Sequence, residues 1–568
     1  LVFSDWSNCS NSQHWPVHFK SRAFCCRSIP LKAMDPRHRI ILPDSFPPCQ
    51  GKTQVHTIAF TPVAYHVDVH RSCLCNEIVS LYNRHLVKRN IEYDAGYIKQ
   101  GFNKLVKMMP FEKVAKVDMR DIVARYTGAK KRAYHNAMLN IYAGGFDLKK
   151  HTVVKMFVKP DKWPSDQIAD KAPRAIQYRS KEYNLMLAQY LQPLEEVAYN
   201  GILKNGSRVI AKGLTPRQRA ALWITKINRF KDPIFICIDH SKFDSTVNID
   251  HLKQLHRVYK RYVGQNIRRL LLAQLKNRGF TKSGVRYFAT ATRMSGDFDT
   301  ALGNTLINIA CIEQCLDGID FDYMLDGDDA IIVMERVSKT EFDVTNFARF
   351  GFETKVAVTA NPFEVEFCQS RLVNANGWTF ARNPIRAISN STAVVKDYSL
   401  KGMARYMAGV GMAEYAMSAG VPILHRQAER LMALSDNPFL DEDAKWAVKN
   451  NRYVKDVRVT MEARLSMETS WRIPAIMQRV IEINLPQLEV TYVNRKLRYD
   501  LESLYGAWAR MASMGVSCFA GRWCCGWADI SGLYESASDC PAATANLPAA
   551  TGSLCTAATA IGWAIPTT

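Results

Sequence analysis

Two adjacent aspartates are the residues of this chain best suited to chemistry. Asp328 and Asp329 follow Gly327, and apolar runs at 323–325 and 330–334 flank them. Glycine beside aspartate between β-prone runs predicts a tight hairpin with both carboxylates at its tip. Adjacent carboxylates repel each other, and a divalent cation is the usual partner that neutralises them. A solvated acidic turn is the simpler interpretation of an isolated Gly-Asp-Asp.

A third carboxylate ends a separate apolar run. Residues 233–238 have the pattern of a buried strand, and Asp239 follows them directly. A carboxylate at the end of such a strand is costly to desolvate unless something pairs with it, so Asp239 is a natural third metal ligand. Asp244 lies five residues further on, past the turn where a helix could begin.

A loop of small residues precedes a predicted helix that begins near residue 300. Ser295 and Gly296 allow a ligand to approach the backbone closely. Thr300 and Asn304 lie one turn apart on the same helical face, where hydroxyl and amide groups can hydrogen-bond a sugar. The apolar stripe of this helix is ordinary core packing.

Cationic side chains come before these carboxylates in the chain. Lys155 and Lys159 bracket a β-like run, and Arg174 and Arg179 lie on either side of Ile176. A nucleoside triphosphate carries roughly four negative charges, which such side chains neutralise. These segments are therefore candidates for a triphosphate site.

Another basic segment combines charge with aromatic rings. Lys130, Lys131 and Arg132 follow a glycine-containing loop and lie between Tyr126 and Tyr134. This mixture suits single-stranded nucleic acid, because basic groups hold phosphates and aromatic rings stack on bases. A solvated start of a helix explains the segment equally well.

The charge of the whole chain favours a polyanionic partner. Its 568 residues carry a formal net charge of +22 and a sequence pI of about 9.3. Nucleic acid is the first expectation and an anionic membrane the second, ahead of a basic surface that serves only solubility. Residues 99–181 hold 19 Lys and Arg against 7 Asp and Glu, which argues for a phosphate-binding surface there.

The cysteines point to a reducing compartment. There are 15 of them without a Cys-x-x-Cys pair, and a chain of this length has no need of disulfide staples. A zinc site of His66, His70, Cys73 and Cys75 is one interpretation of a local cluster. Buried thiols and ordinary histidines are the preferred one, because the Cys-x-Cys spacing is tight.

Targeting signals are not apparent in the sequence. No apolar run of about 18 residues predicts a membrane span, and no signal peptide is predicted. The chain starts at Leu1 and its first Met is Met34. This start indicates a fragment, or part of a longer translation product.

Several elements must position these residues. The expected helices and strands are helices at 73–88, 183–198 (broken or kinked at Pro193), 403–417 and 441–449, a break at 420–422, a helix-to-strand transition at 347–358 that carries Lys355, a strand at 366–370 and β-like residues at 55–67.

In this order the segments resemble the motifs of viral RNA-dependent RNA polymerases, most closely those of tombusvirus-like plus-strand RNA viruses. The resembling segments are 238–244 for motif A, 294–304 for motif B, 327–329 for motif C, Lys355 for the motif D lysine, 366–369 for motif E, 171–177 for the fingers motif F, 126–131 for a template-contacting segment and 420–422 for a thumb motif. Each piece is weak alone, but the ordered set, which spans roughly residues 130–424, is specific.

The resemblance implies an α+β chain with the right-hand polymerase fold. Its expected parts are an N-terminal extension of uncertain order at 1–50, fingers interleaved with the palm at 51–230, a palm with an antiparallel sheet at 231–375, a helical thumb at 376–515 and a low-complexity tail at 516–568. The implied activity is RNA-directed RNA polymerisation from ribonucleoside triphosphates, with two Mg²⁺ ions roughly 3.5–4 Å apart that Mn²⁺ can replace.

The resemblance also implies residue roles. Asp239 and Asp328 would bind both metal ions with Asp329 in support, and Lys355 would protonate the leaving pyrophosphate as a general acid. The remaining roles are the ribose 2′-hydroxyl for Asp244, Ser295 and Asn304 supported by Gly296 and Thr300, the triphosphate for Lys155, Lys159 and Arg174, the nascent base pair for Ile176, and RNA for Tyr126, Lys130, Lys131, Arg132 and Arg179.

Three other functions remain open. A reverse transcriptase would share the palm but typically carries a bulky aromatic residue where Asp244 stands. A non-catalytic RNA-binding or coat protein would explain the charge but not Asp239, Asp328 and Asp329 in apolar strands. A metal-dependent phosphatase or nuclease would leave the Ser-Gly loop and the basic segment unexplained.

The resemblance also suggests partners and a location. The expected partners are a single-stranded RNA template, nascent RNA, ribonucleoside triphosphates and a membrane-anchored viral replicase protein. The expected location is the host cytoplasm, at membrane-associated replication complexes.

Overall fold

The computed structural model describes residues 19–485, except 23, 27, 46–48, 50–53, 58–64, 66, 392, 397 and 452–456. The predictions for His66 and for the tail at 516–568 lie outside the described residues. All described residues belong to one compact unit.

The strands lie mostly in the first two thirds of the described chain. In chain order they are β1 (Phe19–Arg22), β2 (Arg39–Ile41), β3 (Gln54–Thr57), β4 (Val67–Val69), β5 (Val154–Val158), β6 (Lys162–Pro164), β7 (Ala175–Tyr178), β8 (Leu203–Lys204), β9 (Ser207–Arg208), β10 (Pro233–His240), β11 (Lys276–Thr281), β12 (Arg286–Thr290), β13 (Phe321–Asp326), β14 (Asp329–Glu335), β15 (Thr354–Thr359), β16 (Ser370–Asn374), β17 (Trp378–Arg382) and β18 (Ala393–Val394).

Helices fill the rest and dominate the C-terminal third. In chain order they are α1 (Leu74–Ser80), α2 (Ala95–Lys107), α3 (Met119–Ala124), α4 (Gly128–Tyr142), α5 (Leu148–His151), α6 (Lys181–Gly201), α7 (Pro216–Ile227), α8 (Phe243–Thr246), α9 (Ile249–Val263), α10 (Arg268–Leu272), α11 (Thr300–Cys315), α12 (Thr345–Phe350), α13 (Pro384–Ser391), α14 (Leu400–Ser418), α15 (Leu424–Met432), α16 (Glu442–Asn450), α17 (Met461–Trp471) and α18 (Ala475–Asn484). A π-helical turn, Leu81–His85, continues α1.

The central sheet is antiparallel and has the strand order β13-β14-β10-β15. Alternate residues of β10 face opposite layers: Ile236 packs into a core shared with α2, α6, α9 and α11, whereas Phe235 packs against Trp223 of α7 and the β16–β17 hairpin. Both faces are therefore covered, which explains why these strands are continuously apolar. Burying each such large side chain contributes roughly 1.5–3 kcal/mol.

A second sheet joins distant parts of the chain in the order β2-β12-β11-β5-β7. Strands β11 and β12 come from the segment expected to be palm, and β2 comes from the segment expected to be an extension of uncertain order. The boundaries at residues 50 and 231 therefore do not separate the sheets, because pairing between strands far apart in sequence leaves no local signal.

Most local predictions match the elements, and two need correction. Helix α6 continues through Pro193, so the helix is not broken there, and a kink at Pro193 stays a prediction. The strand expected at 366–370 is instead a tight turn: Phe367 and Ser370 exchange both backbone hydrogen bonds, and Cys368 and Gln369 have φ of 49° and 60°. Sequence patterns miss this turn because its positive-φ positions hold residues other than glycine.

Among the helices that the structure describes, none combines the length and apolar character needed to cross a bilayer.

Candidate active site

The two adjacent aspartates lie at the tip of the β13–β14 hairpin, as predicted. Asp326 pairs with Asp329 across the strands, and Gly327 has a φ of 70°, which a glycine adopts without steric cost. Asp328 is the other residue of the two-residue turn. The hairpin therefore holds both carboxylates at one end of the central sheet.

The register of the sheet brings the third aspartate to the same end. Ile238 pairs with Ala330 of β14, so Asp239 comes level with Asp329, and on its other side Asp239 pairs with Lys355 of β15. Adjacent strands lie roughly 4.8 Å apart. Asp239 thus lies between Asp329 and Lys355, which both come more than 80 positions later in the sequence.

The electrostatics of the tip agree with this proximity. Asp328 and Asp329 reach solvent, but they lie in a recess crowded by protein atoms. Burial first, and then repulsion by Asp328, Asp326 and Asp239, raise the pKa of Asp329 to about 6. Burial also raises the pKa of Asp328, against a lowering contribution from the charge of Arg174.

The carboxylates do not converge on a single point as they stand. Among the residues that the structure describes, the one group of three side chains whose metal-ligating atoms all lie within 4.8 Å of one another is Cys25, Cys49 and Cys75. The backbones of the three aspartates are adjacent, whereas their oxygens are spread more widely. Their metal binding therefore stays a prediction.

Asn308 of α11 fixes the turn, and sequence reasoning missed it. Its Nδ2 donates to the carbonyl oxygens of Gly327 (3.0 Å) and Asp328 (3.2 Å). Its Oδ1 lies 3.2 Å from His240 Nε2, and His240 Nδ1 lies 2.8 Å from the Thr354 hydroxyl. This buried network joins α11, β10, β15 and the hairpin. Asn308 lies one turn beyond Asn304 on the same face, a spacing that could have identified it.

Asp326, the remaining carboxylate of the hairpin end, is neutralised by cations. Arg219 Nη2 lies 2.6 Å from one of its oxygens, and Lys212 Nζ lies 3.5 Å from the other. Within the described chain, no such ion pair engages Asp239, Asp328 or Asp329. Asp326 is therefore a structural carboxylate, whereas Asp239, Asp328 and Asp329 are carboxylates that a ligand can reach.

Asp244 and Asn304 meet beside the tip, as the predicted sugar site requires. Asn304 Nδ2 donates to Asp244 Oδ1 at 2.7 Å, and burial raises the pKa of Asp244. The Ser295 hydroxyl instead contacts the backbone of β7, where it accepts from Gln177 N at 3.2 Å and donates to the Ala175 carbonyl at 3.4 Å.

The other two residues of this loop act on its shape. Gly296 N donates to Gln177 O at 2.7 Å, and a Cβ at Gly296 would lie 2.9 Å from that oxygen, so only glycine fits. The Thr300 hydroxyl donates to the carbonyl oxygens of Met294 (2.8 Å) and Asp297 (3.0 Å). Gly296 therefore holds the loop against β7, and Thr300 ties the loop to the start of α11.

Arg179, predicted to bind RNA, is a buried structural residue, and this prediction is wrong. Its side chain is 0% exposed and ion-paired with Asp297, and its Nε donates to the Thr152 carbonyl at 3.0 Å. Arg293 and Asp299 form a second buried pair at 2.9 Å. The two pairs anchor the loop that carries Ser295.

Two of the three predicted triphosphate cations, Lys159 and Arg174, converge on one carboxylate. Lys159 Nζ and Arg174 Nε lie 3.2 Å and 3.4 Å from the two oxygens of Asp161. Burial and the neighbouring charge of Arg174 lower the pKa of Arg84, which sequence reasoning did not assign, to about 10. Three cations around a single carboxylate leave an excess of positive charge beside the tip.

Lys155 and Ile176 lie on the exposed face of the second sheet. Cationic and aromatic side chains alternate along one row that crosses the sheet. Phe280 pairs with Arg286 on one side and with Lys155 on the other, and Lys155 pairs in turn with Tyr178. We call this surface the aromatic sheet face; its residues are Lys155, Phe157, Ile176, Tyr178, Arg278, Phe280, Arg286 and Phe288.

The basic segment at the start of α4 is divided between solvent and packing. Lys130, Lys131 and Arg132 are exposed. Tyr126 is half-buried, with its ring 4.7 Å from that of Tyr134 and Lys130 Nζ 4.3 Å from its centroid. Lys131 and Arg132 are exposed to meet a phosphate, whereas the Tyr126 ring is already in contact with Tyr134 and Lys130.

The predicted zinc group is divided by the structure. Cys73 and Cys75 lie together with two cysteines that the prediction omitted, Cys25 and Cys49. His70 is buried with its ring edge-on to Phe24, and it does not belong to the group of ligand atoms.

Comparison with known proteins gives a consistent picture. The family model described as "Viral RNA dependent RNA polymerase" matches residues 43–492. Proteins named RNA-directed RNA polymerase are similar to this chain: that of Groundnut rosette virus (strain MC1) is 29% identical over 383 residues, covering 64% of this chain and 45% of the relative. The chain from Tobacco necrosis virus (strain D) is 28% identical over 418 residues (69% and 58%), and that from Carnation mottle virus is 30% identical over 360 residues (61% and 46%). The chain spans about half the length of the curated relatives it matches.

Proposed function

The chain belongs to the family of viral RNA-dependent RNA polymerases, and on this premise we propose that it copies a viral RNA template by nucleotidyl transfer from ribonucleoside triphosphates. The observation that carries the proposal is the register of β14, β10 and β15, in which the hairpin tip, Asp239 and Lys355 are neighbours. A metal-independent RNA-binding protein gives no reason for these residues to lie on neighbouring strands.

We also propose the right-hand arrangement. The central sheet with α9 and α11 would be the palm, the second sheet and the helices before it the fingers, and α14–α18 the thumb. A contact across the chain supports a closed hand: Thr127 Oγ1 lies 2.5 Å from Glu442 Oε1, so the segment before α4 touches the N-terminus of α16.

The donor set at the tip fits a hard divalent cation. Asp239, Asp328 and Asp329 offer carboxylate oxygens, the ligands that Mg²⁺ prefers. Burial and repulsion between them raise the pKa of Asp328 and Asp329, a cost that a bound cation relieves. We assign these residues as ligands of two Mg²⁺ ions, which Mn²⁺ can replace. When bound, the ions would activate the 3′-hydroxyl and neutralise charge on the triphosphate.

Residues beside the tip would select and orient the nucleotide. The Asp244–Asn304 pair offers a carboxylate oxygen to the ribose 2′-hydroxyl, the group that distinguishes ribonucleotides. Lys159 and Arg174 would exchange Asp161 for the triphosphate, a stronger anion. The position of Arg174 supports this assignment, because its charge lowers the pKa of Asp328, and Lys159 shares the carboxylate of Asp161 with it.

Two further side chains would act around the transfer. Lys355, exposed and level with Asp239, is a candidate general acid for the pyrophosphate leaving group. Ile176, half-buried on β7 next to Arg174, would pack on the nascent base pair. Template RNA would run over exposed cations such as Lys131 and Arg132, and we retain the membrane-anchored replicase partner at replication complexes as a proposal.

Nucleotide incorporation tests the function directly. Purified chain with an RNA template, Mg²⁺ and labelled ribonucleotides should incorporate label, and Asp328→Ala should reduce it to background. The matched control is Asp320→Ala, which removes the same charge from an exposed side chain at the other end of β13. Incorporation that survives Asp328→Ala, or that Asp320→Ala removes equally, would refute the assignment of the tip.

Sugar selection provides an independent test. Asp244→Ala should lose discrimination between ribonucleotides and deoxyribonucleotides while still incorporating label. Unchanged discrimination would show that another residue reads the 2′-hydroxyl.

A further inference from the structure

Four cysteines from three separate segments meet in the N-terminal region. Cys49 Sγ lies 3.6 Å from Cys25 Sγ and 3.2 Å from Cys75 Sγ, and Cys73 Sγ lies 3.7 Å from Cys25 Sγ. The sulfurs of Cys25, Cys49 and Cys75 all lie within 4.8 Å of one another. We call these four residues the thiol cluster.

The spacing of the sulfurs matches a metal site better than a disulfide. A disulfide bond is about 2.0 Å long. Four thiolates around a tetrahedral ion with bonds of about 2.3 Å have sulfurs about 3.8 Å apart. The distances between the sulfurs of Cys49 and Cys75, of Cys25 and Cys49, and of Cys25 and Cys73 are 3.2, 3.6 and 3.7 Å, close to the second value. Cys73 Sγ lies outside the group of three sulfurs that are all within 4.8 Å of one another, so it approaches the cluster only from the side of Cys25.

A network of hydrogen bonds holds the segments that carry these cysteines. Asn76 is fully buried; its Oδ1 accepts from Cys26 N at 2.6 Å, and its Nδ2 donates to the carbonyl oxygens of Phe24 and Arg71, both at 2.8 Å. One amide thus fixes the chain beside Cys25 to the turn before Cys73. Hydrogen bonds that hold the backbone around the ligands in this way orient the ligands of structural metal sites.

We propose that the thiol cluster binds one Zn²⁺ ion through Cys25, Cys49 and Cys75, with Cys73 as the fourth ligand. Thiolate sulfur is a soft donor that favours zinc over the magnesium expected at the hairpin tip. A set of four protein ligands leaves no open position, so the ion serves structure rather than catalysis.

The proposed ion would join the N-terminal strands to the second sheet. Cys75 lies in the first turn of α1, and Leu74 and Ile78 of that helix pack against Val154 and Met156 of β5. Strand β5 carries Lys155. Zinc would therefore fix residues 25 and 49 to the helix that supports the aromatic sheet face.

Metal analysis of the full chain tests the proposal. Protein produced in zinc-containing medium and purified under reducing conditions should hold one Zn²⁺ per chain by elemental mass spectrometry. Cys25→Ser, Cys49→Ser and Cys75→Ser should each weaken binding about tenfold or more. Cys26→Ser is the matched control, because its buried thiol is adjacent in sequence but points to the Lys171 carbonyl at 3.8 Å; it should retain the ion.

A spectroscopic measurement keeps the test decisive if a serine variant does not fold. Unaltered chain loaded with Co²⁺ should show thiolate-to-cobalt charge-transfer absorption and the visible bands of a tetrahedral site. Absence of both zinc and these bands would overturn the proposal. A Cys49–Cys75 disulfide that persists in the native chain after purification under reducing conditions would overturn the proposal as well. Loss of zinc from Cys26→Ser to the same extent as from the other serine variants would also overturn it.

Discussion

Single polar side chains fix the geometry of the candidate active site. Asn308 holds the two carbonyl groups of the hairpin turn, and two buried arginines hold the loop that faces it. None of these residues is placed to touch a substrate. These residues position the backbone of the turn and of the loop. The backbone in turn determines where the carboxylates at the turn point.

Asn308→Leu should slow nucleotide incorporation without abolishing it. The substitution keeps the number and branching of the side-chain heavy atoms but leaves the Gly327 and Asp328 carbonyls without their donor, at a cost of roughly 1–3 kcal/mol. If that cost falls on the conformation in which the turn is correctly aligned, single-turnover incorporation drops about fivefold to 150-fold. RNA affinity, measured in parallel, should not change; an unaltered incorporation rate would contradict the positioning role.

Arg179→Ala should destabilise the fold. Removal of one partner from a buried ion pair leaves Asp297 uncompensated, which costs about 3–5 kcal/mol. The control Arg132→Ala removes an exposed cation, should change stability by no more than about 0.5 kcal/mol, and should weaken RNA binding. Thermal unfolding and RNA anisotropy measure both; the reverse pattern would restore Arg179 as an RNA ligand.

Part of this could be predicted from the sequence. The positions of Asp239, Asp328, Asp244 and Asn304 around the tip could be predicted because motif spacing predicts their residue types, whereas their roles stay predictions. Arg179 was misassigned because strand β7 has a period of two: Arg174, five residues away, falls on the exposed face and Arg179 on the buried one. The alternation was visible in the sequence, but which face is buried depends on the rest of the sheet.

At the scale of elements, the helices that cover the central sheet contain polar side chains that are buried in their uncharged form. The pKa of His251 in α9 is lowered to about 4, mainly by burial. Its Nδ1 accepts from Asn248 N at 3.1 Å in the capping box of α9, and its Nε2 lies 2.8 Å from the Phe350 carbonyl. An uncharged ring is therefore part of the junction between α9 and α12.

Acid should weaken this junction in a defined pH window. An unfolded histidine takes up a proton near pH 6.5, whereas folded His251 stays neutral to about pH 4. The contribution of neutral His251 to the free energy of unfolding is complete above pH 6.5. It falls as the pH drops towards 4, by up to about 1.4 kcal/mol per pH unit. His251→Gln keeps a capping-box acceptor. In this variant the part of the pH dependence of the free energy of unfolding that His251 causes between pH 6.5 and 5 should disappear.

Unfolding midpoints at several pH values measure the effect. The exposed His135→Gln is the matched control and should leave the slope as in the unaltered chain. A His251→Gln chain with unchanged pH dependence would show that the ring is already protonated or exposed.

Elements were predicted where their signal is local. The β13–β14 hairpin, β10, β15 and α11 followed from periodicity and turn residues. The second sheet did not, because β11 pairs in parallel with β5 more than 100 residues earlier, and local sequence carries no trace of such a partner. The turn at 366–370 was missed for a different reason, namely that residues other than glycine occupy its positive-φ positions.

At the scale of the whole molecule, net charge and exposed rings act together. The chain carries +22, and the aromatic sheet face adds rings that are between 39% and 41% exposed at Phe157, Phe280 and Phe288. Phosphate contacts and base stacking contribute to RNA affinity in different ways. Only the first depends steeply on salt.

Two variants should separate these contributions. Phe280→Ala should weaken binding of single-stranded RNA by about 1–3 kcal/mol at every salt concentration, because stacking releases no ions. Arg286→Ala, its cross-strand neighbour, should reduce the slope of log affinity against log salt by about 0.7. Fluorescence anisotropy across a salt series measures both; identical behaviour of the two variants would argue that this surface does not hold RNA.

The pairing of β18 with β3 has a consequence for synthesis on the ribosome. Ala393 pairs with Thr57, so one edge of β3 has no partner until about 340 further residues have been translated, which takes roughly 20–70 s at ordinary elongation rates. A bare strand edge of this kind can recruit another nascent chain. Fragments that stop before residue 393 should therefore aggregate more readily than chains that continue past it, and a chaperone acting early in translation would have its greatest effect there.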